Sequence, residues 1–371
     1  NWAPHYQYLD AVFVTHAHLD HSGAIPLVMS SRKLPWFSTK ETKLLCSMLW
    51  KDMNRITRGN PGLEKHPSFS LLSAVTRSEN IENALDNFYP LAPKESIQVL
   101  PNVEVTAHSA AHIFGSVGYE ISIDGRRILY TGDFNSEGVG PFAGSQFPND
   151  IDAVMFDGTY YGRTEERKSP QDQLKEILKE SKRLLIPAFS AGRAQDVLYY
   201  LYRAGVFSSS GQGLRVIMTG MGGKIAETMR MGKAVKAGDR NLRFPSGINP
   251  DEFVEGTIVI AGQGMLQAGL SRTLLDETAS DPDTGVVLCG YQAPQTLGWH
   301  LSQKHPYLTR KYQQRIHKIS ISGHTTGHAL DQWMSEISGK KIMVHAPETH
   351  DGQLKRDDII IPPNSGYFEI S

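Results

Sequence analysis

Apolar runs alternate with turn residues and with stretches of helical periodicity along most of the chain. Short apolar runs predict strands at residues 9–14, 103–108, 118–123, 127–132 and 153–158. After residue 165 the alternation becomes regular, because runs at 183–189, 214–220, 256–262 and 285–291 are each followed by a predicted helix. These helices start near Gly192, Gly223, Gly269 and Thr296. The rhythm predicts an α/β fold with a parallel, doubly wound sheet in this part of the chain.

The last part of the chain returns to single strands, predicted at 318–324, 340–346 and 358–363. Residues 37–100 contain helical stretches among scattered Pro, Ser and Asn, and we expect helices that pack over the first domain. No Gly/Ser-rich linker separates the regions, which favours an inserted domain over tandem domains. The predicted division is 1–164 for the first part of one domain, 165–312 for the inserted domain and 313–371 for the closing part of the first.

Composition narrows the class of protein. A chain of 371 residues is long enough for two domains, each with its own core. The two cysteines, Cys46 and Cys289, are too few for a disulfide framework and predict a reduced, cytoplasmic setting. No apolar run reaches the ~20 residues of a membrane span, so no membrane association is expected. The formal net charge is −1, so a polyanionic partner would need a local basic groove or metal ions.

The segment VTHAHLDHSG, residues 14–23, places four metal-binding side chains within six positions. His16 and His18 are two residues apart just beyond a strand, so their side chains can point the same way. Asp20 and His21 follow on the turn that opens a predicted helix. A set dominated by imidazole suits Zn²⁺ better than Mg²⁺ or Ca²⁺. We expect two metal ions, with further ligands at strand ends downstream.

Three downstream residues meet that expectation. His112 precedes a predicted strand within a run of small residues, Asp133 follows a strand and a glycine, and His345 ends an apolar strand. Each residue alone is weak evidence for a metal ligand, because a histidine in a loop or a TGD turn is common. Together with the opening segment they supply five histidines and two aspartates, a suitable set for two zinc ions that share a bridging group.

Six short segments of the sequence resemble motifs of a known family. The segments THAHLDHSG, AHIFGS and YTGDF are similar to motifs of the metallo-β-lactamase fold, and MFDGTYYGR, SISGHTTGHAL and IMVHAPE are similar to the three motifs of its β-CASP nuclease branch. The branch includes the endonuclease subunit of the mRNA 3′-end cleavage machinery and prokaryotic relatives. The resemblance implies an αββα sandwich with an inserted β-CASP α/β domain, a parallel sheet flanked by helices.

The resemblance also implies a ligand set. His16, His18 and His112 would hold one zinc, Asp20, His21 and His345 the other, and Asp133 both. A histidine at the third motif, His345, is associated with RNA-directed members. The implied function is a zinc-dependent ribonuclease, endonucleolytic or 5′–3′ exonucleolytic, in which a metal-bridging hydroxide hydrolyses phosphodiester bonds of single-stranded RNA. The alternatives are a metal-dependent hydrolase of a small ester or thioester and an inactive scaffold subunit.

Three residues are predicted to be catalytic, namely Asp20, Asp157 and His324. His324 is expected to protonate the leaving ribose oxygen, and Asp157 to hold its ring, with His328 as a competing proton donor. Residues expected to bind RNA are Ser190, Arg193 and Arg272, of which Arg193 lies at a predicted helix start where phosphate binds well.

Two features depart from the family pattern. Relatives begin with one or more strands ahead of the first histidine motif, whereas eight residues precede that strand here, so we expect N-terminal strands to be missing. Relatives also often carry an acidic residue shortly after the second-motif histidine, where this chain has Thr326. A homodimer is possible, because relatives often dimerise.

Overall fold

The structure is a computed structural model that describes residues 8–59, 62, 73–163, 168–208, 213–235, 241–345 and 358–362. Its strands are β1 (Val12–Phe13), β2 (Trp36–Ser38), β3 (Phe88–Pro90), β4 (Ser96–Leu100), β5 (Val103–Ser109), β6 (Val117–Ile123), β7 (Arg126–Tyr130), β8 (Ala153–Asp157), β9 (Arg183–Pro187), β10 (Arg215–Met218), β11 (Leu242–Arg243), β12 (Thr257–Ala261), β13 (Thr284–Leu288), β14 (Arg315–Lys318), β15 (Lys340–Val344) and β16 (Ile359–Ile360). Its α-helices are α1 (Leu19–Ser22), α2 (Ile25–Ser31), α3 (Lys40–Gly59), α4 (Ser78–Asp86), α5 (Pro170–Glu180), α6 (Arg193–Arg203), α7 (Gly220–Thr228), α8 (Met231–Ala234), α9 (Gly269–Glu277), α10 (Leu297–Ser302), α11 (Pro306–Lys311) and α12 (Gly327–Glu336).

The chain divides into two compact units. The first unit comprises residues 1–138, 143–164 and 323–371, and the second comprises 139–142 and 165–322. The predicted boundary after residue 164 coincides with this division, whereas the predicted return at residue 313 lies ten residues earlier than the observed one at 323. The difference arises because β14 pairs in parallel with β13 and so belongs to the second unit, and the strand expected at 318–324 lies at 315–318 instead.

The first unit contains two sheets between helices. Seven strands run in the order β16-β15-β8-β7-β6-β5-β4, and β1, β2 and β3 form a separate parallel sheet. The sheets meet through apolar side chains such as Phe13 and Tyr119, whose ring centroids lie 5.2 Å apart. Helices α3 and α4 cover the small sheet around Trp36, while α12 covers the large sheet with Trp333 and Met334. This is the predicted αββα sandwich.

The second unit has one sheet of six parallel strands in the order β11-β10-β12-β9-β13-β14. Helices α5 to α8 bury residues such as Leu174 and Leu198 against one face, and α9 to α11 bury residues such as Leu274 and Leu301 against the other. The fully buried strands are rich in Val, Ile and Leu, as parallel strands covered on both faces require. The predicted parallel, doubly wound sheet is therefore confirmed.

Residues 37–100 hold more strand than the sequence pattern predicted. Helices α3 and α4 lie there as expected, but β3 and β4 lie there too, and β2 begins at Trp36. Strands of three to five residues bounded by charged and polar positions give too short a pattern to separate from a loop. In the part of the chain that the structure describes, the helices are too short or too polar to cross a membrane.

Candidate metal centre

The predicted ligands lie in the segments that follow β1, β5, β7 and β15. His16 is fully buried in the extended segment after β1, and α1 then turns the chain at His21. Gly132 directly precedes Asp133 and has a φ of +56°, and a Cβ there would lie 2.7 Å from the side chain of Thr15. Only glycine fits this turn without strain. The tight turn brings Asp133 under the histidine segment.

The first donor group consists of His16, His18, His112 and Asp133. His18 Nδ1 lies 3.1 Å from His16 Nε2 and 3.2 Å from His112 Nε2, and Asp133 Oδ2 lies 3.6 Å from Nε2 of both His16 and His112. His112 Nδ1 is 2.9 Å from the carbonyl oxygen of Gly323 and donates its proton there. The lone pair on His112 Nε2 is thus directed into the group.

The second donor group consists of His21, Asp133 and His345. His21 Nε2 lies 3.4 Å from Asp133 Oδ2, and His345 Nδ1 lies 3.6 Å from Asp133 Oδ1. His21 Nε2 is buried, yet no group among the described residues forms a hydrogen bond with it. A buried polar atom without a partner is costly, and a metal ion would satisfy it. Asp133 Oδ2 therefore faces histidines of both groups, namely His16, His112 and His21, and Asp133 Oδ1 faces His345.

The spacing of these donors fits metal coordination. Four ligands arranged tetrahedrally around Zn²⁺ at about 2.0–2.1 Å lie about 3.3 Å from one another. The donor separations of 3.1–3.6 Å in the two groups bracket that value. The donor set present in this chain therefore fits a divalent metal ion.

The electrostatics keep His16, His112 and Asp133 in the protonation states that metal binding needs. Burial lowers the pKa of His16 and His112 well below the ordinary histidine value, so both rings are neutral and offer lone pairs. Burial alone would raise the pKa of Asp133, but His21 and the other nearby imidazoles hold that pKa well below its usual range. Asp133 is thus ionised, and it raises the pKa of His21 despite the burial of that ring.

Beside these groups, Asp157 and His324 form a close pair. His324 Nδ1 lies 2.6 Å from Asp157 Oδ2, and the backbone N–H and hydroxyl of Thr159 donate to Asp157 Oδ1 at 3.0 and 2.6 Å. The Asp157 side chain is 2 % exposed, whereas that of His324 is 24 % exposed. Both carboxylate oxygens are used, so Asp157 fixes the His324 ring. Together with Asp133 the pair forms a third cluster of possible donors.

Asp20 is the one predicted ligand outside these clusters. Its side chain is 75 % exposed, and its Oδ2 lies 3.6 Å from His21 Nε2, a separation like those between the clustered donors. Its assignment as a ligand and a catalytic residue stays a prediction. His108, four residues before His112, instead lies 3.0 Å from the Glu120 carboxylate.

The three predicted RNA-binding residues lie in the second unit. Ser190 and Arg193 follow β9, at the carboxyl end of the parallel sheet, where ligands of doubly wound folds bind. Arg193 is already paired with the buried Asp196 at 2.8 Å, and Arg272 pairs with Asp276 at 2.6 Å on the surface. Ser190 Oγ would lie 3.7 Å from a Cβ at Gly262, on the neighbouring strand end.

Replacing Gly323 by alanine is expected to weaken metal binding, because the new Cβ would lie 2.8 Å from His112 Nδ1 and displace that ring. We expect a 10- to 100-fold loss of metal affinity, the usual effect of disturbing a partner of a ligand. Competition with a chelator measures the affinity. Gly59→Ala is the matched control, since a Cβ there meets nothing within 4 Å. Equal metal affinity in Gly323→Ala and the unaltered chain would show that the close contact with Gly323 does not position the His112 ring.

Two protein-family models match this chain, one in each half. The model of the metallo-beta-lactamase superfamily matches residues 9–186, and that of the Beta-Casp domain matches residues 194–301. An RNase J-like protein of Methanocaldococcus jannaschii is 28 % identical, over 91 % of this chain and 81 % of its own length. Cleavage and polyadenylation specificity factor subunit 3 of Dictyostelium discoideum is 24 % identical, over 94 % of this chain and 47 % of its own length. Transcription termination factor FttA of Pyrococcus abyssi is 28 % identical, over 88 % of this chain and 55 % of its own length.

The chain thus spans about half the length of the last two relatives. A crystal structure of a protein of unknown function from Enterococcus faecalis V583 has a TM-score of 0.57 and 16 % identity, covering 96 % of this chain and 80 % of that one, and it supports the fold. The two family models match most of the chain up to residue 301, including the donors from His16 to Asp133 and five of the six strands of the parallel sheet. The chain belongs to the β-CASP family of the metallo-β-lactamase superfamily.

Proposed function

We propose that this chain is a zinc-dependent ribonuclease that hydrolyses phosphodiester bonds of single-stranded RNA. The observation that carries the proposal is the position of Asp133, whose carboxylate is shared by two groups of histidine donors and clusters with the Asp157–His324 pair. Two metal ions with an adjacent proton donor are one arrangement that catalyses phosphodiester hydrolysis. The relatives named as an RNase J-like protein and as a cleavage and polyadenylation specificity factor subunit support an RNA substrate.

We propose zinc as the metal because of the chemistry of the donor atoms. Five imidazoles and the carboxylates of Asp133 and Asp20 form a set richer in nitrogen than Mg²⁺ or Ca²⁺ prefer. His16, His18 and His112 would hold one ion, Asp20, His21 and His345 the other, and Asp133 both. When bound, such ions stabilise the negative charge that develops on the phosphoryl oxygens and make water more acidic.

The protein's own contribution is the placement of a proton donor. His324 Nδ1 is directed at Asp157, so Nε2 is the nitrogen that would act on a substrate. Protonated His324 can donate from Nε2 to the departing ribose oxygen, and Asp157 stabilises the positive ring. Because Thr159 occupies the other oxygen of Asp157, the carboxylate cannot rotate freely and the ring orientation is preserved.

RNA would also be held by the carboxyl end of the second unit's sheet. Phe189 and Tyr291, which follow β9 and β13, are 38 % and 67 % exposed. Exposed aromatic rings stack on the bases of single strands with little sequence preference. Ser190, the helix start at Arg193 and the surface residue Arg272 would contact phosphates. A cytoplasmic location and a homodimer are part of the proposal, although only the buried Cys46 and Cys289 thiols support the former.

Cleavage of labelled substrates tests the function directly. The purified chain is incubated with single-stranded RNA, the matching DNA and a small thioester, each with and without chelator, and metal content is measured by elemental analysis. We expect RNA to be cleaved, chelator to stop the reaction and two zinc ions to be present per chain. The length of the first products separates internal cleavage from digestion from an end.

The controls decide between the alternatives. Asp20→Ala is expected to lower RNA cleavage strongly if Asp20 is a ligand, and an unchanged rate would remove Asp20 from the site. Preference for the thioester would favour the small-substrate hydrolase, and RNA cleavage that survives full removal of metal would contradict the proposal. Absence of any cleavage with two zinc ions bound would favour a scaffold.

A further inference from the structure

The segment after Asp133 runs beside the loop that carries His324. Thr325 N–H donates to the carbonyl oxygen of Phe134 at 2.8 Å, and Ser136 N–H donates to Thr325 Oγ1 at 3.0 Å. The Thr325 hydroxyl also donates to the Phe134 carbonyl at 3.0 Å. These segments are 189 to 191 residues apart in the chain. One segment follows Asp133 and the other follows His324, so their contact links the shared metal donor to the proton donor.

Asn135 makes the buried part of this link. Its side-chain Oδ1 accepts the backbone N–H groups of Glu137 at 3.0 Å and Gly138 at 2.7 Å, and its Nδ2 donates to the carbonyl oxygen of His324 at 3.2 Å. Asn135 is 3 % exposed, so its polar atoms need these partners. The oxygen therefore shapes the turn after Asp133, and the nitrogen holds the backbone of His324.

A second, more exposed contact lies two residues after His324 in the chain. The Thr326 hydroxyl donates to Glu137 Oε2 at 2.7 Å, and the same oxygen of Thr326 accepts the N–H of Ala329 at the start of α12. Glu137 belongs to the turn that Asn135 shapes. The chain from the His324 carbonyl to Thr326 is thus held at several points by one short segment, residues 135–137.

We propose that Asn135 is a positioning residue that holds His324 at the distance from the metal donors that proton donation to the leaving group requires. This inference rests on the proposed ribonuclease function. The physical reason is that a displacement of about 1 Å in a catalytic group can lower a rate about 100-fold. Asn135 follows Asp133 by two residues and donates a hydrogen bond to the backbone of His324. It therefore fixes the position of His324 relative to Asp133. Thr326 and Glu137 assist it.

Asn135→Asp tests the proposal because it removes one function of the side chain and keeps the other. The aspartate retains an oxygen for the N–H groups of Glu137 and Gly138, but it places a second oxygen, without a proton, against the carbonyl of His324. Two substrates are compared, namely RNA and bis(4-nitrophenyl) phosphate, whose nitrophenolate departs without needing a proton. Zinc content and melting temperature are measured in parallel, and Asn149→Asp adds the same charge at an exposed position of the same unit.

We expect kcat on RNA to fall about 10- to 100-fold with KM within twofold, while hydrolysis of the nitrophenyl ester stays within about threefold and two zinc ions remain. Asn149→Asp is expected to resemble the unaltered chain on both substrates. Thr326→Val is a second variant at a partly exposed position, and it should give a loss of about 3- to 10-fold on RNA alone. It covers the case in which Asn135→Asp does not fold.

The outcomes separate this proposal from the function on which it rests. An unaltered chain that cleaves RNA, with Asn135→Asp and Thr326→Val both within twofold of it, overturns the positioning role and leaves the function intact. Equal losses on both substrates, or loss of zinc from Asn135→Asp, also overturn it, because Asn135 would then support the metal donors. If the unaltered chain cleaves no RNA, the proposed function and the positioning role are both wrong.

Discussion

Replacing Asp133 by asparagine is expected to lower RNA cleavage at least about 1,000-fold and to reduce bound zinc from two ions to at most one per chain. Asp133 is the residue common to all three donor clusters, and its two oxygens face different histidines. Asparagine keeps the shape of the side chain but removes the negative charge and offers one weaker donor oxygen. Both metal positions are therefore disturbed by one substitution.

Elemental analysis and a single-turnover cleavage assay measure the two effects of Asp133→Asn. The control is Asp150→Asn, because Asp150 is a fully exposed carboxylate in the same unit. Circular dichroism checks that the variant is folded, which we expect since the core clusters of the first unit do not include Asp133. Two zinc ions in Asp133→Asn, together with cleavage within tenfold of the unaltered chain, would mean that the two metal positions do not share this carboxylate.

The centre of the site was predictable because its first donors are local. His16, His18 and His21 come from one strand, turn and short helix, so their spacing in the sequence already determines that they converge. His112, Asp133 and His345 were found through strand ends and through the family motifs, and the structure brings their nitrogen or oxygen atoms within 3.6 Å of another donor. The parallel sheet of the second unit was predictable from its long, regular apolar runs.

What the sequence could not supply depends on distant contacts. The role of Asn135 requires a hydrogen bond across 189 residues, and an asparagine after GDF has no pattern that indicates it. The exposure of Asp20 depends on how α1 turns its side chains, which the motif leaves open. The sequence pattern predicts the domain return ten residues too early, at 313, because β14 is a four-residue edge strand with little alternation in burial and gives no sign of its partner strand.

The Asp157–His324 pair gives the second large effect. His324→Ala is expected to lower the rate of RNA cleavage by 10²- to 10⁴-fold, the usual contribution of a general acid, while two zinc ions remain bound. Asp157→Asn should lower it less, about 10- to 100-fold, because the ring keeps a hydrogen-bond acceptor at 2.6 Å but loses the charge that stabilises its protonated form. Hydrolysis of bis(4-nitrophenyl) phosphate should change by less than about threefold in both variants, since its leaving group requires no proton.

His328→Ala distinguishes His324 from the other histidine of the same loop and helix. His328 is exposed in the first turn of α12 and is absent from the three donor clusters, whereas His324 belongs to one of them. We expect His328→Ala to cleave RNA within twofold of the unaltered chain. If His328→Ala lost more activity than His324→Ala, the proton donor would be His328. If His324→Ala slowed both substrates equally, its ring would serve the metal donors, because loss of a proton donor slows only the substrate whose leaving group needs one.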